Sequence, residues 1–461
     1  MMKTVIKNAL IVNENRCYRG IISIVDDIID DIIEYGDDAD IDSKVDEITR
    51  DADIVIDAEG GCVMPGVIDD HVHFRQPGLT DKADIDTESA AAAAGGVTSY
   101  FDMPNTIPQT TDIESLEDKF RMAAESSHIN YSFFFGATNS NSHLFPLLDP
   151  HRIPGIKLFM GSSTGNMLVD NDDALDDIFS HTDMPIMVHC EDTDIISANM
   201  AKAKVLYGND PDVIHHPEIR DRKCCMESSS RAVRLARKHG TQLHIAHVST
   251  ADELTLVDTP SQDDNDGMCC NESNITLEAV IGHLFFDDQD YQRLGTKIKV
   301  NPAIKSHDDR MALLKALAEG RISVVATDHA PHLLEQKEGG CARAASGMPI
   351  IQFSLPLMLS LTDEGVIDIC RVVQLMSHNP ARIFGLRQRG FLRKGYKADI
   401  TIVRRQEWTL DESMILSKCK WSPLTGHQFS WMVTHTLCNG HIVYDQGRID
   451  RTYVGEPLVF R

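Results

Sequence analysis

The chain has 461 residues, 42% of them hydrophobic, with 44 Lys and Arg set against 70 Asp and Glu for a formal net charge of −26. Those proportions describe a globular chain long enough to bury a substantial core. Nucleic-acid and anionic-membrane surfaces need clustered Lys and Arg, so the acidic excess excludes both as partners, but it leaves room for a small anionic substrate in a locally positive pocket.

The first residues, MMKTVIKNALIVNENR, contain no apolar stretch ending at a small-residue cleavage site, so no secretory leader is read there. No run of about 18 apolar residues suggests a membrane span, and a cytoplasmic location is expected. Segments TVIKNALIV and GIISIVDDIIDDI, rich in Ile and Val and broken by polar turns, predict short strands. The acidic stretch 37–53, with helical spacing in SKVDEI, reads as a solvated surface segment.

From residue 62 to 394 the rhythm changes. Apolar runs (GVTSYFDMP, GIKLFMG, MPIMVHC, QLHIAHVS, KIKVNP, ISVVATDHA) alternate with helix-like stretches such as SSSRAVRLARKHG and ALLKALAEG. Such alternation predicts β-α units around a parallel sheet. The polar segment 258–274 reads as a surface loop. Strand patterns return in ADITIV and MVTHTLCNGHIVYDQG, where Asn439-Gly440 signals a hairpin. The expected fold class is therefore α/β. A (β/α)8 TIM-like barrel spans 62–394, and a small β-sandwich is assembled from 1–61 and 395–461. The eleven cysteines include the adjacent pairs Cys224-Cys225 and Cys269-Cys270 but no C-x-x-C. They read as reduced thiols rather than zinc ligands.

Five runs end in a candidate metal ligand. His71 and His73, two apart on a strand, face the same way and can reach one ion. Lys157, His189, His247 and Asp328 follow at intervals of about 84, 32, 58 and 81 residues. With roughly 30 residues per β-α unit they fall near strands one, four, five, six and eight, the fifth unit carrying an insertion. Barrel sites lie at the C-terminal ends of strands, so all of these residues can converge on one mouth. A lysine inside an apolar run is costly unless paired or chemically altered, and Asp328 raises the same problem. His244, three residues before His247, is a weaker candidate and is left out of the ligand set.

The strings VMPGVIDDHVHFRQPG, GIKLFMG, MVHCED, HIAHVSTA and ATDHAPH, with HNPARIFG and GYKADITIV near the C-terminus, resemble the amidohydrolase superfamily. The resemblance covers almost the whole chain and is to the dihydroorotase and hydantoinase branch. It implies a binuclear zinc site in which His71, His73 and Asp328 hold one ion, His189 and His247 the second, and a carbamylated Lys157 bridges them. The metals would share a hydroxide, with Asp328 as general base, in reversible opening of a cyclic amide such as dihydroorotate to N-carbamoyl-L-aspartate, a step of pyrimidine biosynthesis. The same resemblance assigns Arg75, Asn105 and His332 to a substrate carboxylate, which Arg suits by its bidentate fork. Arg75, two residues after His73, would project to the same side in an extended segment.

Two departures stand out. Lys305, in Asn301-Pro302-Ala303-Ile304-Lys305, occupies a place where the family pattern has Arg, keeping charge but losing the planar fork. Gly282 stands where the pattern has a second His. The run 161–166, GSSTGN, reads equally as a substrate lid or a plain turn, and the loop 338–348 follows His332 closely enough to shape the pocket. Other cyclic amidohydrolases, such as an allantoinase or a dihydropyrimidinase, and a metal-free scaffold are the competing readings. A homodimer is compatible with the resemblance.

Overall fold

The computed structural model describes residues 1–35, 41–161, 167–258 and 274–461, without the side chains of 41–44. The GSSTGN run and the loop 258–274 lie almost wholly outside the described residues.

The Ile- and Val-rich segments Lys3–Asn13 and Arg16–Val25 pair as an antiparallel hairpin. Its turn residues Glu14 and Asn15 have φ of 49° and 61°, the backbone of a type I′ turn. Ile28–Glu34 extends this hairpin on one side. On the other, Cys62–Pro65 runs parallel to Lys3–Asn13 and antiparallel to Ile400–Thr409, with Val63 opposite Ile402. Gln428–Cys438 and His441–Asp445 come next. They are turned by Asn439-Gly440 at φ 50° and 74°, the hairpin its sequence predicts. Both ends of the chain share one nine-stranded sheet. Ile6, Ile22, Ile24, Ile400, Ile402 and Leu437 form its buried core.

The middle of the chain is the α/β barrel. Its strands are Val67–Val72, Val97–Asp102, Asn130–Phe133 continued by Phe135–Gly136, Ile156–Phe159, Ile186–His189, Leu243–Ile245, Ile275–Val280 and Val324–Ala326. A three-stranded and a six-stranded parallel sheet meet at the third strand, which is interrupted at Phe134. A parallel bridge between Val72 and His329 joins the last strand's continuation to the first. Helices fill the connections, and Arg222–His239 shows why they form. Asp221 caps it by accepting from Cys224 N, Arg237, Lys238 and His239 complement the dipole of its last turn, and Gly240 ends it at φ 72°. This helix and Thr193–Tyr207 make up most of the insertion between the fifth and sixth strands.

The barrel interior is divided. Ile68, Phe101, Phe134, Met187, Ala246 and Val324 form an apolar plug with Phe384 and Phe460. Above the plug, toward the C-terminal ends of the strands, lie buried charges. Among the described residues no helix is long and apolar enough to cross a membrane.

Candidate metal centre and active site

The pairing of the first strand with the second is irregular between Asp69 and Val72. Such an irregularity re-aims side chains, and here two consecutive residues reach inward. Asp70 Oδ2 lies 3.4 Å from His244 Nε2, and His71 Nε2 lies 3.5 Å from Asp328 Oδ1. His73, just past the strand end, places Nε2 3.0 Å from the same Asp328 oxygen. His71, His73 and Asp328 each offer a ligand atom within 4.8 Å of the others.

The fifth and sixth strands bring a second imidazole pair. His189 Nδ1 and His247 Nε2 are 2.8 Å apart. The His247 ring centre is 5.3 Å from that of His71, so the two groups are contiguous. Lys157 sits on the fourth strand, fully buried, its Nζ 5.3 Å from the centre of the Phe159 ring. Burial lowers its pKa to about 8, which brings the neutral, nucleophilic amine within reach of ordinary pH. Burial pushes the Asp328 carboxyl up, but the charge of His71 and the hydrogen bond from His73 hold it below its usual value.

Unpartnered buried atoms indicate what the site accommodates. Among the described residues Lys157 Nζ and His247 Nδ1 have no hydrogen-bond partner, and His189 Nε2, 3.1 Å from Glu191 Oε2, lacks hydrogen-bond geometry to it. Buried polar atoms are ordinarily paired. Two imidazoles and a lysine left short of partners, close to the Asp328 carboxylate, fit divalent cations, which take nitrogen and oxygen donors.

The cavity above these groups has a volume of about 100 Å³ and is lined by His71, His73, Arg75, Asn105, His189, His247 and Asp328, together with Phe159, Asn301, Ala330, Ser346 and Gly347. Gly347, in the loop after His332, has φ 137°, and a Cβ there would lie 2.6 Å from Ala330 O. That close approach admits only glycine without movement. Lys157, His332 and Lys305 are not among the lining residues. The Lys305 ammonium is buried and donates to Ala303 O at 3.0 Å.

Arg75 reaches the cavity by a different route from the one its sequence position suggests. Its segment is not extended: φ is 71°, in the left-handed region. His247 and Asp328 share that conformation, at φ 39° and 48°. Such residues cost strain and persist where surrounding structure fixes them. The turn leaves Arg75 Nε donating to Pro331 O at 3.0 Å, with Nη2 3.1 Å from His332 Nε2. Among the described residues no carboxylate pairs with this guanidinium, which burial lowers to about 10. His332 is pushed down to about 2, by burial first and then by the charge of Arg75. The Asn105 amide oxygen accepts from His73 Nδ1 at 2.8 Å, which orients that ring.

Glu278, on the seventh strand, is absent from the sequence reading. It is fully buried and accepts from His71 Nδ1 at 2.9 Å and from the His247 backbone N–H at 2.7 Å. Burial raises its pKa, but the His71 charge and further imidazole contacts hold the carboxyl below its usual range. The signal was present: a carboxylate inside ITLEAV is as anomalous as a lysine inside GIKLFMG. Asn301, with its Oδ1 unpartnered, also lines the cavity without having been singled out.

A family model described as the amidohydrolase family matches residues 62–443. A dihydroorotase of Methanosarcina mazei is 32% identical, covering 91% of this chain and 91% of its own length. One of Halobacterium salinarum is 34% identical, covering 86% and 89%. Among solved structures, an L-hydantoinase (dihydropyrimidinase) from Arthrobacter aurescens is similar with a TM-score of 0.88 at 26% identity, over 100% of both chains. A dihydropyrimidinase from Brevibacillus agri has the same fold, with a TM-score of 0.86 at 23% identity over 99% and 98%.

Proposed function

The chain belongs to the amidohydrolase family, and on that premise we propose that it is a dihydroorotase, interconverting dihydroorotate and N-carbamoyl-L-aspartate in pyrimidine biosynthesis. The observation that carries the choice of substrate is Arg75. A buried guanidinium with no carboxylate partner among the described residues, at the wall of the cavity that gathers the candidate ligands, is suited to a substrate carboxylate. Dihydroorotate brings one; hydantoin and dihydrouracil do not. Asn105 lines that end of the cavity, His332 contacts the Arg75 guanidinium from outside the lining, and Lys305, also outside it, adds positive potential rather than a contact.

His71, His73 and Asp328 would hold one zinc ion, and His189 and His247 the other. Lys157 would serve both as a carbamate: its neutral amine would add to carbon dioxide and lose a proton, turning a costly buried cation into an anion with two oxygen donors. A pair of divalent cations supplies a Lewis acid for the scissile carbonyl and a water acidic enough to attack near neutral pH. Asp328 accepts the proton of the attacking water and returns it to the ring nitrogen as the amide bond breaks. Glu278 and Asn105 keep the imidazoles of His71 and His73 in orientation. In the ring-closing direction the same proton path releases water.

In this reading the span 62–394 is the catalytic unit, except that its first strand, Cys62–Pro65, belongs to the accessory sheet built by 1–61 and 395–461, in a cytoplasmic enzyme compatible with a homodimer. The structural likeness to an L-hydantoinase favours, as second reading, another cyclic amidohydrolase. The two separate by kcat/KM on dihydroorotate, hydantoin, dihydrouracil and allantoin. A preference for any ring without a carboxylate overturns the assignment, and a purified chain that binds no divalent metal points to a scaffold.

A further inference from the structure

Away from the cavity, the tip of the first hairpin is latched to the barrel by one helical segment. Cys370 lies in the helix Ile369–Val373, and Gln374 and His378 in the wider turn that continues it. Their partners are close neighbours on the hairpin. His378 Nε2 accepts from Glu14 N at 3.0 Å, Gln374 donates to Asn15 Oδ1, and Cys370 Sγ lies 3.5 Å from Cys17 Sγ. Arg393 also pairs with Glu14. Cys17 follows the tight turn directly and sits in the ladder opposite Val12. Both sulfurs are therefore held by neighbours on either side. Both cysteines are free, Cys17 exposed and Cys370 partly buried. A disulfide needs about 2.05 Å between sulfurs, so the remaining gap is within reach of a side-chain rotation.

We propose that Cys17 and Cys370 are a thiol pair that a low-molecular-weight disulfide oxidises to an intramolecular cross-link between the terminal sheet and the barrel. The Cys17 thiolate attacks the oxidant RSSR, forming Cys17–S–SR and releasing one RS⁻. The Cys370 thiol then gives up its proton, attacks the Cys17 sulfur and expels a second RS⁻, leaving Cys17–S–S–Cys370. Two thiols are oxidised for each RSSR reduced to two thiol equivalents. Burial raises the Cys370 thiol to about 12, so the exposed Cys17 is the sulfur that meets the oxidant first. Neither residue lines the cavity, so the link constrains the two parts of the chain without entering the chemistry.

The test uses the full-length protein, freed of reductant, exposed to oxidised glutathione, alkylated and mapped by non-reducing peptide mass spectrometry. The expected result is a Cys17–Cys370 peptide without retained glutathione, and a melting temperature raised by roughly 2–6 °C that dithiothreitol reverses. Cys370→Ser should instead trap glutathione on Cys17, and Cys17→Ser should leave Cys370 unmodified, with turnover unchanged in both. A wild-type protein in which Cys17 and Cys370 remain alkylatable, or in which Cys17 keeps the glutathione adduct, overturns the proposal.

Discussion

Glu278 accepts from the imidazole of His71 at 2.9 Å, and the same carboxylate oxygen accepts from the backbone N–H of His247. One buried anion thereby fixes a candidate ligand on each side of the site. Glu278→Gln keeps the shape but removes the charge that strengthens His71 as a donor. The expected outcome is a metal affinity weakened by about 10–100-fold, read by competition against a chromogenic chelator, with the fold retained by circular dichroism.

Arg75 is expected to act on substrate and not on metal. Arg75→Ala should raise KM for dihydroorotate by at least about tenfold, the loss of a charged hydrogen bond being worth roughly 1.5–3 kcal/mol. Zinc content should stay at the wild-type value. Arg75→Lys should recover only part of the loss, because a single ammonium cannot form the bidentate contact. Loss of zinc in Arg75→Ala would show that the two roles are not separate.

Asp328 combines ligand and proton carrier. Asp328→Ala should reduce kcat by at least about 10²–10⁴-fold, the range for a positioned acid-base group, and weaken one metal position. Steady-state assays paired with metal analysis of the same preparation check both effects.

Lys157 is expected to need carbon dioxide. Protein stripped with a chelator and reconstituted with zinc should regain activity faster with added bicarbonate than in carbon dioxide-depleted buffer. Lys157→Ala should bind less metal and show no bicarbonate effect. Equal recovery in both buffers would remove the carbamate from the mechanism.

Stability depends on a different buried pair. Arg389 and Asp399 form a buried ion pair where the barrel meets the terminal sheet, and Asp399 also accepts from Asn439 N at 2.8 Å and from Asn130 on the third barrel strand. Arg389→Met leaves that carboxylate buried and uncompensated, a change that costs about 3–5 kcal/mol. Urea unfolding followed by tryptophan fluorescence should show the midpoint falling while zinc content is unaffected.

Several parts of the site are legible in the chain because they violate the pattern around them. His71, His73, Lys157, His189, His247 and Asp328 each stand at or near an apolar run, where a polar side chain needs a reason. Their intervals match β-α units, so the strand numbers follow. Arg75 is legible as a cation near His73 but not in its direction, because its φ is left-handed at 71° and its guanidinium is held by Pro331 and His332, more than 250 residues away. Glu278 carries the same anomaly as Lys157, yet nothing local says that it meets His71, 207 positions earlier. Lys305 matches a motif position, but packing turns its ammonium to the Ala303 carbonyl.

The alternation of strands and helices, the pairing of the two chain ends and the identity of the polar residues at the strand ends are determined by the sequence, because periodicity and burial preference act within a few residues. The seventh strand is the exception, formed by Ile275–Val280 and not by KIKVNP, whose first residues lie in the 3-10 turn Gly295–Ile298. Which imidazole meets which carboxylate, which buried nitrogen is left without a partner, and where Arg75 points are decided by the tertiary structure. Those contacts join residues far apart in the chain, and their distances exist only once the barrel has closed and brought its strand ends together.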